Sequence, residues 1–254
     1  MSFTSFTSLH RFNIIMAALH AAQGVAVIWL SRDFVLPITV SYLHFDPQTQ
    51  GLAPATQTLT HVSLPWIVAV FFFLSALAHL IIATAYRRHY ERDLATGLNR
   101  ARWFEYALSA SIMMVAIAML VGIYDLGSLI AIFALTAIMN LCGLIMEIHN
   151  QTTKRTNWLS YWVGCLAGAV PWVVIGLYFW ASAHNGSAPP TFVYWIYVSI
   201  FIFFNCFALN MALQYRRVGK WHDYLYGERA YIILSLVAKS LLAWQVFAGT
   251  LRPN

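Results

Sequence analysis

AYIILSLVAKSLLAWQVFAG, Ala230–Gly249, is the stretch that decides the fold. It is long enough to cross a bilayer as a helix, and its one charge, Lys239, sits at its centre. A lysine at mid-bilayer costs roughly 2.5–3.5 kcal/mol on insertion scales, so it is rare and marks an ion path, a proton relay or a covalent cofactor. The bland reading is a lysine that snorkels to the interface. Lys239 lies about a dozen residues from either end of its segment, roughly 15–18 Å of helix rise, which exceeds the reach of its side chain.

The rest of the chain agrees with a membrane setting. Of 254 residues, 60% are hydrophobic and 9% charged, against about 25% charged in soluble domains. Mean hydropathy is +0.66. Cys142, Cys165 and Cys206 all fall inside apolar segments and read as small core residues, not as a disulfide framework. The net charge of +6 reads as basic residues gathered in loops, with no nucleic-acid partner expected. Met1–Arg11 is polar and weakly basic, and the apolar run after it continues to about Leu30. That run exceeds a signal-peptide core and has no clear cleavage site, so it reads as a retained helix.

Seven apolar spans follow from the punctuation by Gly, Pro, Asn and charge, at about 12–31, 62–86, 98–124, 128–148, 158–182, 191–215 and 227–250. Lipid forces each span to satisfy its own backbone, so all are helices. The expected fold is an all-α membrane protein, a seven-helix bundle forming a single domain over 1–254. The longest connection, 33–61, holds the partly alternating VLPITVSYLHF and the turn-like DPQTQG, which predicts a short β-hairpin outside the membrane. Basic residues collect on alternate connections: Arg11, then Arg87, Arg88, Arg92, Arg100 and Arg102, then Lys154 and Arg155, then Arg216, Arg217, Lys220 and Arg229. The opposite flanks hold Arg32 and Arg252. The positive-inside rule therefore puts the N-terminus in the cytoplasm and the C-terminus and hairpin outside. That direction argues against a G-protein-coupled receptor. No internal repeat suggests an inverted-repeat transporter.

Nine acidic residues exist. Asp33, Asp46 and Asp125 fall by outer loops, Glu91, Asp93 and Asp223 in inner loops, and Glu147 and Glu228 near inner helix ends. Glu105, about two turns into the third span, remains as the deep carboxylate and the partner for Lys239. A competing reading pairs Glu105 with Arg102 at the interface. Arg102, Glu105 and Ser109 share a helix face, and Ser235 lies one turn before Lys239. Either serine alone is weak evidence, since serine is common at membrane helix contacts. His20 and Gln23 share a face of the first span, and Ser75 and His79 share a face of the second. No metal-ligand spacing accompanies them, so a polar or proton-holding cavity is the better reading and no metal is expected. Each histidine also reads as a hydrogen-bonded buried residue. The many aromatic residues are lipid-facing or interfacial by default.

A lone mid-helix lysine in the seventh span with a carboxylate in the third resembles the retinal site of rhodopsins. GERAYIILSLVAKSLLAWQVFAGT (227–250), ARWFEYALSASIMM (101–114) and FNIIMAALHAAQ (12–23) together resemble heliorhodopsins. The inverted direction fits that family too. The resemblance implies all-trans-retinal on Lys239 as a protonated Schiff base with Glu105 as counter-ion. It implies Ser235 and Ser109 beside it and Ser75 at the counter-ion. It further implies a cytoplasmic-side cavity lined by His20, Gln23 and His79, where the released proton is held. Met139, Gly143, Pro171, Trp172 and Phe204 match the chromophore pocket, and the resemblance implies a homodimer.

With Glu105 as the only deep acid, the chain lacks an acceptor–donor series of the kind a proton pump uses. The expected function is a light sensor in the cell membrane that signals to an unknown cytoplasmic partner through its basic loops, and not an enzyme. The alternative is a light-gated proton channel or weak transporter. A third reading, a non-photic enzyme or transporter using Lys239 directly, has no second catalytic constellation behind it.

Overall fold

A computed structural model describes residues 5–184 and 189–252. The first four residues of the polar lead-in, and the last two of the C-terminus, lie outside the described residues. Among the described residues, seven helices are long and apolar enough to cross a membrane. They are α1 (Phe6–Leu30), α2 (Leu64–Ala83), α4 (Arg100–Leu120), α5 (Leu126–Asn150), α6 (Leu159–His184), α7 (Thr191–Tyr215) and α8 (Tyr224–Val246). The chain is a multi-pass membrane protein.

Short polar residues start the helices by accepting orphan backbone N–H groups. Ser5 accepts from Ser8 N at 3.1 Å, Asn99 from Arg102 N at 3.0 Å, Asp125 from Ser128 N at 2.9 Å and Asp223 from Leu225 N at 3.0 Å. Pro65 opens α2, where a missing N–H is harmless. The second span ends earlier than the hydropathy suggested. α2 stops at Ala83, and the basic segment read as loop forms its own short helix, α3 (Arg87–Ala95). Tyr90 and Leu94, one turn apart, bury its inner face.

The hairpin is longer than expected. β1 (Val35–Asp46) and β2 (Gly51–Ser63) pair antiparallel from Val35↔Ser63 to Asp46↔Gly51, with a bulge between Ile38 and Thr39. Asp46 tightens the turn by accepting from Gln48 N at 2.9 Å and the Thr49 hydroxyl at 2.9 Å. The hairpin is pinned to the α4–α5 corner. Thr39 N donates to Tyr124 O at 2.9 Å and Ser41 N to Asp125 Oδ1 at 3.3 Å.

The helices form a ring. α1 packs on α2, α2 on α4, α4 on α5, α5 on α6 and α7 on α8, and α8 returns to α1. α6 and α7 meet through rings: Trp172 of α6 lies edge-on to Tyr197, Phe201 and Phe204 of α7 at 5.4–5.5 Å. The core is sorted by height. Toward the hairpin it is apolar, with Val68, Phe71 and Phe72 (α2), Met114 and Ile117 (α4), and Leu242 and Val246 (α8) all buried. Lipid tails are as apolar as these side chains, so close packing rather than water exclusion holds this layer. Polar groups occupy the other half, toward the end that carries the basic loops.

Candidate functional site

At the boundary between these halves α8 presents Lys239 to Glu105 of α4. Nζ lies 3.1 Å from Glu105 Oε1, and the two side chains are 3% and 8% exposed. A buried charge needs a partner and hydrogen bonds on its remaining donors. Lys239 Nζ also donates to Ser235 Oγ at 2.7 Å, one helical turn away. Glu105 accepts from Ser75 Oγ of α2 at 2.6 Å. Ser109 is fully buried beside this carboxylate without a closed hydrogen bond. The Tyr106 ring lies 5.3 Å from Nζ, within cation–π range.

One side of the pair is apolar space. A cavity of about 40 Å³ touches Lys239, Ser235, Tyr106, Met113, Met139 and Phe204. A second, of about 230 Å³, shares Met139, Asn140, Phe204 and Phe207 with it and continues past Gly143 and Trp172 between α6 and α7. Two glycines keep this space. A Cβ on Gly143 would strike the Trp103 ring, and one on Gly168 would strike Met139. Pro171 is buried in α6 beside Trp172 but lies outside both linings. The residues suit a long, flat, apolar molecule anchored at one end on Nζ: aromatic and methionine walls, little polarity, and one amine at the closed end. Retinal has that shape and an aldehyde for the amine.

The other side is polar. His79 Nδ1 shares a hydrogen bond of 2.7 Å with Asn13 Oδ1, and His20 stacks on His79 with centroids 5.5 Å apart. Both ring nitrogens of His20 lack a partner among the described residues. Gln23 is not in this group. It turns toward α8, where its Oε1 accepts from Trp244 Nε1 at 3.1 Å. A cavity of about 20 Å³ touches Glu105, His79, Asn13, Arg102 and Glu228. That is room for one water with polar partners on several sides.

A family model, Heliorhodopsin, matches residues 9–251. The chain belongs to the heliorhodopsin family. That is a family of light-sensing retinal proteins, and the seven apolar helices with the β-hairpin agree with its architecture. No individual curated protein matches the chain.

In this heliorhodopsin-family bundle Glu105 is not the only deep acid. Glu147 (α5) and Glu228 (α8) are 2% and 1% exposed. Both pair with Arg102, itself 4% exposed. Glu147 also accepts from Trp103 Nε1 at 2.7 Å, Asn99 N at 2.9 Å and Tyr224 OH at 3.0 Å. Glu228 accepts from Asn99 Nδ2 at 2.6 Å and Tyr90 OH at 3.3 Å. The guanidinium is sandwiched by Trp103 and Tyr231, at 4.6 and 4.0 Å from the ring centroids. Counting residues from helix ends left these acids at the interface. The sequence signal for them is one cation and two carboxylates at helix ends accompanied by Asn99, Tyr90, Trp103 and Tyr224, a donor set sized for two carboxylates.

Proposed function

We propose that this protein senses light through all-trans-retinal attached to Lys239, with Glu105 as counter-charge, and signals by changing shape rather than by pumping ions. The observation that carries the reading is the buried Lys239–Glu105 pair at the closed end of an apolar cavity. When bound, the retinal supplies visible absorption and a light-driven change of shape. Lys239 anchors it and presents a proton at Nζ. Glu105 Oε1, 3.1 Å away, is the carboxylate in reach to take it. Ser75, by donating to that oxygen, fixes its position, and Ser235 fixes Nζ. Met139, Gly143, Trp172 and Phe204 shape the space and exclude water, with Pro171 behind Trp172. Ser109 supplies a spare hydroxyl beside Glu105.

From Glu105 a proton has a one-water step across the small cavity toward His79, whose Nε2 is left over once Nδ1 bonds Asn13. His20, stacked on His79, is the further reserve. Gln23 closes the α1–α8 seam beside them. Loss of the buried ion pair is the local electrostatic event that biases the bundle between two arrangements.

The apolar layer toward the hairpin supports a sensor over a transporter, because the buried side chains beyond Glu105 on that side include Phe71, Phe72, Met114 and Leu242. The alternative, a light-gated proton channel, draws support from the polar groups that run from Glu105 to Arg102 and Glu228 on the other side. Voltage clamp under illumination separates the two: robust photocurrent without a partner rejects the sensor. We further propose a cell-membrane protein with its N-terminus and basic loops in the cytoplasm, where the loops dock a signalling partner. The proposed assembly is a homodimer within membrane lipid.

The test is spectral. Added all-trans-retinal is expected to produce a visible band that Lys239→Ala abolishes. No band, or an unchanged band in the variant, overturns the reading.

A further inference from the structure

At the basic end of the bundle the α3–α4, α5–α6 and α7–α8 connections border a further, half-open cavity of about 330 Å³. It is separate from the Lys239 site. Its size falls in the range of small-molecule sites, roughly 300–1,000 Å³. Lys154, Arg217 and His222 line it together with Thr156, Tyr215 and Tyr224, and no Asp or Glu does. Neither Lys154 nor Arg217 makes an ion pair among the described residues. We propose that this cavity binds a phosphate-bearing ligand.

Two features favour phosphate over a single carboxylate. The first is charge. Lys154 and Arg217 bring two full positive charges to the rim of one cavity, and a phosphate monoester carries about −1.5 to −2 at neutral pH. The second is backbone. α7 ends in a Schellman turn: Arg217 N donates to Gln214 O at 3.0 Å and Val218 N to Leu213 O at 3.1 Å. The left-handed residue of such a turn is normally glycine. Here it is Arg217, with φ 52°. A side chain at that φ is disfavoured sterically, and strain of this kind is retained where something other than folding selects the residue. What an arginine offers there, and a glycine does not, is a guanidinium at the mouth of the cavity, suited to bidentate phosphate recognition.

The position also matters for the rest of the molecule. Tyr224 lines the cavity and donates to Glu147. A bound ligand is thus one tyrosine away from the Arg102–Glu147–Glu228 triad. The binding proposal itself does not depend on retinal.

The test uses the retinal-free protein in detergent micelles without phospholipid, titrated with inorganic pyrophosphate in a calorimeter. Saturable one-to-one binding is expected. It should weaken on the order of tenfold or more in Lys154→Gln/Arg217→Gly. It should be unchanged in Arg87→Gln/Arg88→Gln, which removes the same charge from α3 at the same end. Because glycine suits the turn, Arg217→Gly alone should melt at or above the temperature of the parent, so lost binding is not lost folding. If phosphatidylglycerol added to the micelles displaces pyrophosphate, the phosphate recognised is that of a lipid headgroup. If it does not, the ligand is a soluble phosphate compound. Absent or non-saturating heat, equal affinity in the cavity variant, or a lower melting temperature for Arg217→Gly overturns the proposal.

Discussion

Replacing Arg102 by methionine removes the one cation between two buried carboxylates. The parent triad carries one positive and two negative charges, with Glu147 and Glu228 held by five hydrogen bonds from Trp103, Asn99 (two), Tyr224 and Tyr90. In Arg102→Met those donors remain but the two carboxylates face each other without a counter-charge. Breaking a buried pair by deleting one partner costs about 3–5 kcal/mol. At roughly 2–4 °C per kcal/mol for a chain of this size, the melting temperature should fall by roughly 6–20 °C. The assay is a thermal melt in detergent followed by tryptophan fluorescence. One control sharpens it. The deficit should be mostly recovered in Arg102→Met/Glu147→Gln/Glu228→Gln, because removing all three charges removes the cost of burying unpaired charge while the glutamine carbonyls still accept from the surrounding donors. A single variant that melts within about 2 °C of the parent, less than one kcal/mol on the same scale, would refute the view of the triad as a closed electrostatic unit.

Three further outcomes concern the Lys239 site and the hairpin. With retinal bound, Glu105→Gln should move the visible band to longer wavelength, since the negative charge 3.1 Å from Nζ is gone; an unshifted spectrum would place the counter-charge elsewhere. Backbone N–H groups depress two carboxyls by the hairpin: that of Ser128 acts most strongly on Asp125, and that of Gln48 on Asp46. A depressed carboxyl stabilises the fold above its unfolded value, about 3.9, and that contribution is lost as pH falls through the lower folded value. Amide exchange at Ser41 and Gln48 should therefore accelerate only below about pH 4. Asp125→Ala should cost about 0.5–2 kcal/mol at neutral pH by uncapping α5 and freeing Ser41; acid-independent exchange at Ser41 in the parent would contradict this.

Hydropathy and charge are local properties, so the amino-acid sequence by itself determined seven spanning helices, a hairpin between the first two, and a lysine too deep to reach water. It also singled out Glu105, because few acids lie so far from a helix end. Burial at the basic end is different, because it depends on which elements converge. Arg102 meets carboxylates 45 and 126 positions away, and α3 and the N-terminus of α8 bring Tyr90 and Tyr224 over them. Distance along one helix cannot reveal a lid made by others, so Glu147 and Glu228 read as interfacial. Rotation about α1 was undecidable for the same reason. His20 and Gln23 lie three residues apart, about 60° around the helix, and α1 has neighbours on both sides. His20 turns to His79 of α2, while Gln23 turns to Trp244 of α8. The identity of the charged residues came from the sequence. Which of them water reaches, and which carboxylate each cation holds, was decided by how the helices pack, because desolvation is a property of the assembled bundle and not of any one segment.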